Sequence, residues 1–433
     1  MINISKLHSL FLNCSSVSTV TRKIEKDCLF IALKGENFDA NTFAKEAIEK
    51  GAKYVVIDNP EYQITDKTLL VENSLVALQE LAKFHRKHLG LPIIALTGSN
   101  GKTTTKELIH VVLSKKYKTL ATIGNLNNHI GVPLTLLRFS KETEIGIVEM
   151  GANHQKEIEF LCTIAQPDYG YITNFGKAHL EGFGGVEGVI KGKSEMYDYL
   201  RANNKLAFIN LDDSIQKEKS IDIKQYTFAL NNVNSNVSIT KIEANPMVNI
   251  TFNKTVINSH LIGVYNANNI NAAITIGNFF EVSDESIKDA IEHYIPENNR
   301  SQLIQKNTNE IILDAYNANP SSMNAAIENF KQLDKKNKIV ILGDMFELGN
   351  ESINEHKKII ALLREESTVA QLSSKYELTS KTIHKWKRQF LANAAIAFEP
   401  AKVVSEYKEE IHRLKEQNDE LAKALGKATV ERD

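Results

Sequence analysis

Short apolar runs alternate with stretches of helical period along most of the chain. Cys28–Leu33 (CLFIAL), Tyr54–Ile57 (YVVI), Ile93–Leu96 (IIAL), Glu144–Glu149 (EIGIVE), Tyr169–Thr173 (YGYIT) and Leu206–Ile209 (LAFI) read as buried strands. Thr42–Lys50 reads as a helix, and so does Leu75–Leu89, with Leu75, Leu78, Leu81 and Ala82 on one face before Pro92 breaks the pattern. This alternation predicts a mostly parallel α/β sheet with helices on both faces. Residues 226–265 differ: short runs such as Val237–Ile242 and Val248–Phe252 between Asn-rich turns predict an antiparallel insertion or edge. Asn266–Phe280 returns to helix. Glu310–Asp314 and Ile339–Gly343 (IVILG) read as strands of a second series, and Ser352–Leu363 as a helix.

The pattern changes after about residue 360. Thr368–Tyr376 and Ser380–Leu391 read as two helices around the turn Glu377-Leu378-Thr379, which is helix-turn-helix spacing. The second helix carries Lys381, Lys385, Lys387 and Arg388 around the single tryptophan, Trp386. Two readings stand: a recognition helix for DNA, or an amphipathic hairpin with a solvated basic face. From Val404 the apolar positions take steps of three and four (Tyr407, Ile411, Leu414, Leu421, Leu425, Ala428), with Asn418 in the seam. This is a coiled-coil pattern that favours a dimer.

At 433 residues, 42% hydrophobic and 24% charged, the chain has room for several cores and needs no disulfide or metal staple to fold. Its net charge of −1 gives no global reason for a nucleic-acid or membrane partner. Cys14, Cys28 and Cys162 form no CxxC pair, which argues against a zinc site and suits a reducing cytoplasm. No stretch is long and apolar enough to span a bilayer, and the N-terminus lacks the apolar core of a signal peptide.

The chemistry concentrates where the strand Ile93–Leu96 runs into Thr97-Gly98-Ser99-Asn100-Gly101-Lys102-Thr103-Thr104 and then into a helix. Glycines let the backbone curl so that amide N–H groups and the helix N-terminus face a phosphate; Lys102 would neutralise charge and Thr103 would offer a hydroxyl to Mg²⁺. Leu96 stands where the longer form of this loop has glycine, so the match is to a shorter variant. Glu149 ends one strand and His179 follows another, which places both at the carboxyl edge of the predicted sheet. Each could be a solvated loop residue; their shared placement makes them candidate metal ligands.

TGSNGKTTTKE (97–107), GNLNNHIGVP (124–133), VEMGANHQKEI (148–158), NFGKAHLEGFG (174–184), GVYNANNINAA (263–273) and DAYNANPSSM (314–323) together resemble the Mur ligases. LKGENFDANTF (33–43) and ILGDMFELG (341–349) fit as well, and the resemblance covers roughly residues 1–360. EMGANHQ with DAYNANP argues against the folylpolyglutamate type of ligase. The resemblance implies a uridine-nucleotide-binding domain over 1–90, a central ATP-binding P-loop domain over 91–300 and a Rossmann-like third domain from 301. It also implies ATP- and Mg²⁺-dependent joining of D-alanyl-D-alanine to a UDP-N-acetylmuramoyl tripeptide through an acyl phosphate, in cytoplasmic peptidoglycan precursor synthesis.

By the same resemblance, Lys102, Glu149, His179 and Lys193 would be catalytic. Thr103, Glu149, His179 and Lys193 (as a carbamate) would hold Mg²⁺; from its position alone, Lys193 is a helix-surface lysine. Gly98, Asn100, Gly101, Lys102, Thr103, Thr104, Asn266, Asn269, Arg300 and Asp314 would meet ATP. Thr21, Arg22, Lys34, Asp39, Asn125 and Asn128 would meet the nucleotide-peptide substrate.

The family's third domain should continue well past ILGDMFELG, but here the sequence changes character. The helix-turn-helix (361–398) and coiled coil (399–433) resemble the small subunit of insertion-sequence transposases. The chain is therefore expected to be a ligase truncated in its third domain (301–360) and impaired. The alternative is a DNA-binding, zipper-dimerised protein carrying an inert ligase remnant.

Overall fold

The computed structural model describes residues 1–297, 299–335 and 337–364. One compact unit takes Met1–Val340 and Met345–His356; residues 341–344 and the helix end after His356 belong to the second unit, and the other features below lie within the first. The predicted helix-turn-helix and coiled coil, with Lys381, Lys385, Lys387 and Arg388, lie outside the described residues.

The N-terminal part is a four-stranded, all-parallel sheet in the order Val17–Ser18, Leu29–Ile31, Tyr54–Ile57, Thr68–Leu70. Phe30, Val55 and Ile57 pack with Ala40, Ala44 and Ala47 in a fully buried cluster. The alanines let the short helix Ala44–Glu49 lie close on the sheet. The helix Ser74–Leu89 follows. Asn73 caps its start by accepting from the Val76 amide, and Gly90 ends it in the left-handed region at φ 65°.

The central sheet has nine strands, in the order Thr255–Ile262, Met247–Phe252, Val237–Ala244, Lys224–Leu230, Leu206–Asn210, Tyr169–Ile172, Ile93–Thr97, Ile145–Glu149, Thr119–Ala121. The seven strands from Val237–Ala244 to Thr119–Ala121 are parallel; the other two close the edge as antiparallel hairpins. The expected antiparallel edge is thus present, but it begins one strand later than 226, because Lys224–Leu230 pairs in parallel with Val237–Ala244.

Ile94 and Leu96 share one core with Leu108, Ile109 and Val112 of the helix Lys102–Leu113 and Ile270 and Ile274 of the helix Ala267–Phe279. The two helices approach closely at Gly277, where a Cβ would sit 2.6 Å from Val112 Cγ1. Glu157–Ala165 and Val186–Ala202 pack together in a separate group of helices. The strand Ile93–Thr97 is the switch point: the chain leaves it for the Thr119–Ala121 edge, returns through Ile145–Glu149 and crosses to Tyr169–Ile172 on its other side. An open parallel sheet forms its ligand crevice at such a point, beyond the carboxyl ends of the strands.

The region after 300 departs from expectation. Gln302–Lys306 and Asn309–Leu313 form an antiparallel hairpin, followed by the helix Pro320–Gln332. Ile339–Gly343 is not a strand, and Ile339 is 83% exposed. An apolar β-branched run becomes a strand only beside a hydrogen-bonding neighbour, and no ladder among the described residues supplies one. The Rossmann-like parallel sheet expected over 301–360 is therefore not formed by the described residues. The helix Ser352–Arg364 is present as predicted.

Candidate active site

The P-loop is shaped by close contact as well as by its own glycines. Gly98 has φ 142°, and a Cβ there would lie 2.0 Å from Thr173 Oγ1; Gly101 has φ 78°, and a Cβ there would lie 2.5 Å from Asn269 Oδ1. Both positions require glycine for conformation and for space. The neighbouring strand's exit holds the loop: Asn100 N donates to Asn174 Oδ1 (3.1 Å), Asn174 Nδ2 donates to Asn100 O (2.9 Å) and Ser99 Oγ donates to Gly176 O (2.6 Å). Lys102 Nζ folds back on the carbonyls of Gly98 (2.8 Å) and Ser99 (3.3 Å). Burial pushes its pKa below the usual lysine range; Arg300 adds to this and the charge of Glu149 opposes it.

Glu149 is buried at the end of its strand. Its amide donates to Thr122 Oγ1 (3.0 Å) and its Oε1 accepts from Asn127 Nδ2 (2.8 Å), but its Oε2 is buried without a hydrogen-bond partner. A buried carboxylate oxygen is costly when unpaired, and a cation would satisfy it. No cluster of three or more His, Cys, Asp or Glu is gathered for a metal among the described residues. One carboxylate and one hydroxyl beside a phosphate loop suit Mg²⁺ completed by substrate phosphates and water, so the residues fit that ion.

These groups open into one cavity of about 750 Å³, a size in the usual range for small-molecule sites. Of the residues singled out from sequence, Asn100, Gly101, Lys102, Thr103, Thr104, Asn125, Asn128, Glu149, His179, Asn266, Asn269, Arg300 and Asp314 line it. Asn266 and Asn269 are buried and partly committed to the protein. Asn269 Nδ2 donates to Asn266 Oδ1 (2.8 Å), Thr105 Oγ1 donates to Asn269 Oδ1 (3.0 Å) and Asn266 Nδ2 donates to Ile262 O (2.8 Å). Asn128 Oδ1 accepts from the amides of Ile130 (3.1 Å) and Gly131 (2.9 Å), where the helix Gly131–Leu136 begins. The Arg300 guanidinium stacks 3.9 Å from the centre of the Tyr316 ring. Burial raises the pKa of Asp314, opposed by a hydrogen bond from the Ser301 amide and by Arg300.

His179 has φ 52° and its Nδ1 meets the Glu347 carboxylate. Burial lowers its pKa while Glu347 opposes. Lys193 is not among the lining residues. It is 1% exposed, donates from Nζ to Ala152 O (3.1 Å), and lies 4.9 Å from the centre of the Phe183 ring. The surface-lysine reading is therefore wrong for this position. Burial, and then the charge of Lys102, hold its pKa well below the usual range, while Glu157 and Glu195 oppose. A lowered pKa favours the uncharged amine, which is the nucleophilic form.

Thr21, Arg22, Lys34 and Asp39 are not brought to this cavity. Lys34 pairs with Asp58 (3.0 Å) and lies 4.0 Å from Asp39, whose Oδ1 accepts from the Asn41 amide (2.9 Å). Thr21 and Arg22 lie in the 3-10 turn Thr21–Lys23.

Three residues not singled out from the sequence prove central to the geometry. Asn127 holds Glu149, Asn174 grips the P-loop, and Asn319 joins Asn100 while capping the helix Pro320–Gln332. All three lie in motifs visible in the sequence. Their signal is the amide side chain, which donates and accepts at once and so can tie two loops.

A parallel sheet with a P-loop at its switch point, a facing carboxylate and an asparagine-lined cleft defines a nucleotide-binding enzyme site. Residues 96–277 match the Mur ligase middle domain and 299–426 the Mur ligase, glutamate ligase domain. The chain belongs to the Mur ligase family. It is 38% identical to the UDP-N-acetylmuramoyl-tripeptide–D-alanyl-D-alanine ligase of Bacillus subtilis over 315 residues, which cover 72% of this chain and 69% of that protein. It is 36% identical to the Escherichia coli ligase of the same name over 332 residues, 75% of this chain and 73% of that one. Among solved structures, MurF from Acinetobacter baumannii superposes with a TM-score of 0.73 at 32% identity, covering 82% of each chain. MurF from Thermotoga maritima in complex with ADP gives 0.71 at 26% identity, covering 84% of this chain and 83% of that one. The match to the glutamate ligase domain runs through the segment read from sequence as transposase-like, and that reading finds no support in these comparisons. No helix among the described residues is long and apolar enough to cross a membrane.

Proposed function

We propose that this chain is an ATP-dependent ligase that joins D-alanyl-D-alanine to a UDP-N-acetylmuramoyl tripeptide in peptidoglycan precursor synthesis. The carrying observation is the meeting, in one cavity, of the P-loop, Lys102, Thr103 and the unpartnered Oε2 of Glu149. The substrate identity rests on the named relatives.

In the reaction, the tripeptide carboxylate attacks the γ-phosphorus of ATP and ADP leaves. The D-alanyl-D-alanine amine then adds to the acyl phosphate, loses a proton, and inorganic phosphate departs as the amide forms. This chemistry needs alignment and charge neutralisation more than covalent help from the protein. The P-loop amides and Lys102 hold the phosphates. An incoming triphosphate, as a nearby negative charge, would raise the depressed Lys102 pKa and favour its charged form. Thr103 and Glu149 would hold Mg²⁺, which would neutralise phosphate oxygens. His179 and Lys193 would serve a second cation, Lys193 only once its amine had added carbon dioxide and lost a proton to become a carboxylate-like carbamate. Asn266, Asn269, Arg300 and Asp314 surround the nucleoside end; Asn125 and Asn128 face the peptide. Thr21, Arg22, Lys34 and Asp39, on the N-terminal sheet, take the uridine nucleotide. The domains run 1–90, 91–300 and from 301.

Phosphate release dependent on both the tripeptide nucleotide and D-alanyl-D-alanine, with the amide product seen by mass spectrometry, tests this reading. Absence of ADP binding both with and without Mg²⁺ would sink it. The sequence of the C-terminal segment supports a second reading for that part alone, DNA binding through Lys381, Lys385, Lys387 and Arg388 with zipper dimerisation. Binding to duplex DNA that does not weaken with salt or with neutralisation of these residues would refute it.

A further inference from the structure

Two side chains outside the reacting set fix how Glu149 is presented. Asn127 donates from Nδ2 to Glu149 Oε1 (2.8 Å), so one carboxylate oxygen is satisfied and the other, Oε2, is left buried and unpartnered. Asn127 is itself held: its carbonyl accepts from the Gly151 amide (2.8 Å), and a Cβ on Gly151 would come within 2.7 Å of Asn127 Oδ1. The approach is possible because residue 151 has no side chain. The backbone of Glu149 is fixed from the other direction. Its amide donates to Thr122 Oγ1 (3.0 Å), and Thr122 O accepts from Lys106 Nζ (2.6 Å).

Lys106 lies one helical turn beyond Lys102 and is fully buried, with Glu107 Oε1 at 2.7 Å as its charge partner. A buried ammonium is an expensive way to pin one carbonyl, and a core position would be filled more cheaply by an apolar side chain. Its placement links the P-loop helix to the strand end that carries the carboxylate.

We infer that Asn127 and Lys106 are positioning residues for the metal carboxylate, Asn127 by orienting the Glu149 carboxyl group and Lys106 by fixing its backbone through Thr122. This rests on the ligase reading above, in which Glu149 holds Mg²⁺. Groups that hydrogen-bond to a ligating carboxylate contribute about 10–100-fold to metal affinity.

Mn²⁺ binding in the presence of ADP, followed by electron paramagnetic resonance on the full chain, tests the inference with a readout other than turnover. Asn127→Ala should weaken Mn²⁺ binding about tenfold or more. Metal-free ADP affinity and the unfolding midpoint should stay close to the parent's, which a merely structural loss would not allow. Lys106→Met should shift Mn²⁺ affinity in the same direction, and Lys106→Arg should restore part of it. Parent-like Mn²⁺ affinity in Asn127→Ala overturns the role of Asn127, and in a folded Lys106→Met that of Lys106. Equal losses of Mn²⁺ and metal-free ADP binding overturn both. A parent that binds ADP but no Mn²⁺ sinks the metal assignment of Glu149 and this inference together; a parent that binds neither sinks the ligase reading itself.

Discussion

Asn100 and Asn319 exchange side-chain hydrogen bonds across 219 residues of sequence: Asn319 Nδ2 donates to Asn100 Oδ1 at 2.6 Å and Asn100 Nδ2 to Asn319 Oδ1 at 3.4 Å. Asn100 belongs to the P-loop, and Asn319 caps the helix Pro320–Gln332 by accepting from the Ser322 amide (3.0 Å). The same amide thus serves a helix terminus and the phosphate loop. Asn319→Ala should cost about 1 kcal/mol through the lost cap. Asn319→Ser keeps a cap but is too short to reach Asn100. ATP KM should therefore rise in both variants, while the unfolding midpoint falls mainly in Asn319→Ala. An unchanged ATP KM in the serine variant would show that the amide pair has no part in nucleotide binding.

Lys102 is buried with its pKa depressed by that burial. A lysine whose folded pKa lies below its unfolded value reduces stability at every pH where the unfolded chain is protonated, pH 7 included. Lys102→Met removes the buried charge and keeps much of the volume. Calorimetry at pH 7 should give an unfolding midpoint equal to or above the parent's. Phosphate release should fall by about 10²–10³-fold, the usual consequence of losing a donor aimed at developing charge. A large drop in the midpoint would contradict the sign.

Gly98 and Gly101 leave no room for a methyl group at backbone angles suited to glycine. Gly98→Ala must displace Thr173 as well as strain the backbone, and should cost at least about 1–3 kcal/mol. Isothermal titration should find ADP binding abolished. Gly101→Ala meets a movable side-chain amide, Asn269, so it should weaken ADP binding without abolishing it. The reverse order of severity would show that strain at these positions does not follow the close contacts.

The site was legible in the sequence where chemistry coincides with periodicity. The apolar run Ile93–Leu96, the Gly-rich Thr97–Thr104 and a helix after it read as a phosphate turn, and Glu149 reads as a strand end because Glu144–Glu149 reads as its strand; the strands are Ile93–Thr97 and Ile145–Glu149. Asn127 and Asn319 were not legible, since a loop asparagine has no period and its partner, Glu149 or Asn100, is fixed only by the tertiary fold. Lys193 was misread because helix position alone does not reveal which face is covered; here Phe183 and the carbonyl of Ala152 cover it. Ile339–Gly343 failed for the opposite reason. Its propensity is clear, but a strand needs a partner that propensity does not supply.

His8, on the first helix, is buried against His85, His88, Phe11 and Phe84. His85 Nε2 faces the Phe139 carbonyl (2.9 Å) and so donates. That leaves His85 Nδ1 to accept from His8 Nε2 (3.0 Å). Burial first, and then His85 and His88, lower the His8 pKa to about 4, and burial lowers that of His85. Depressed histidine pKa values mean that the unfolded chain binds more protons between its own value, about 6.5, and the folded one. Stability therefore falls as pH drops from 6.5 towards 4. Thermal unfolding of His8→Phe should lose less between pH 7 and pH 5 than the parent. An identical pH dependence in the two proteins would remove this cluster from the acid response.

The region from residue 300 onwards contributes Arg300, Asp314 and Asn319 to the cavity, yet its ladder among the described residues is a single antiparallel hairpin. Ile339 is exposed outside any strand. The central sheet that carries the P-loop and Glu149 takes no strand from the run 339–343. Nucleotide binding and amide formation should therefore separate in this chain. Mg·ADP should bind with ordinary affinity by titration calorimetry, while phosphate release with both substrates runs well below that of the Bacillus subtilis ligase assayed alongside. Ile339→Ser should leave ADP affinity unchanged and shift stability by no more than about 0.5 kcal/mol, as expected for a surface position. Turnover equal to the Bacillus subtilis ligase would refute the impairment. A large loss of stability in Ile339→Ser would show that the segment packs in solution as the apolar strand its sequence predicts.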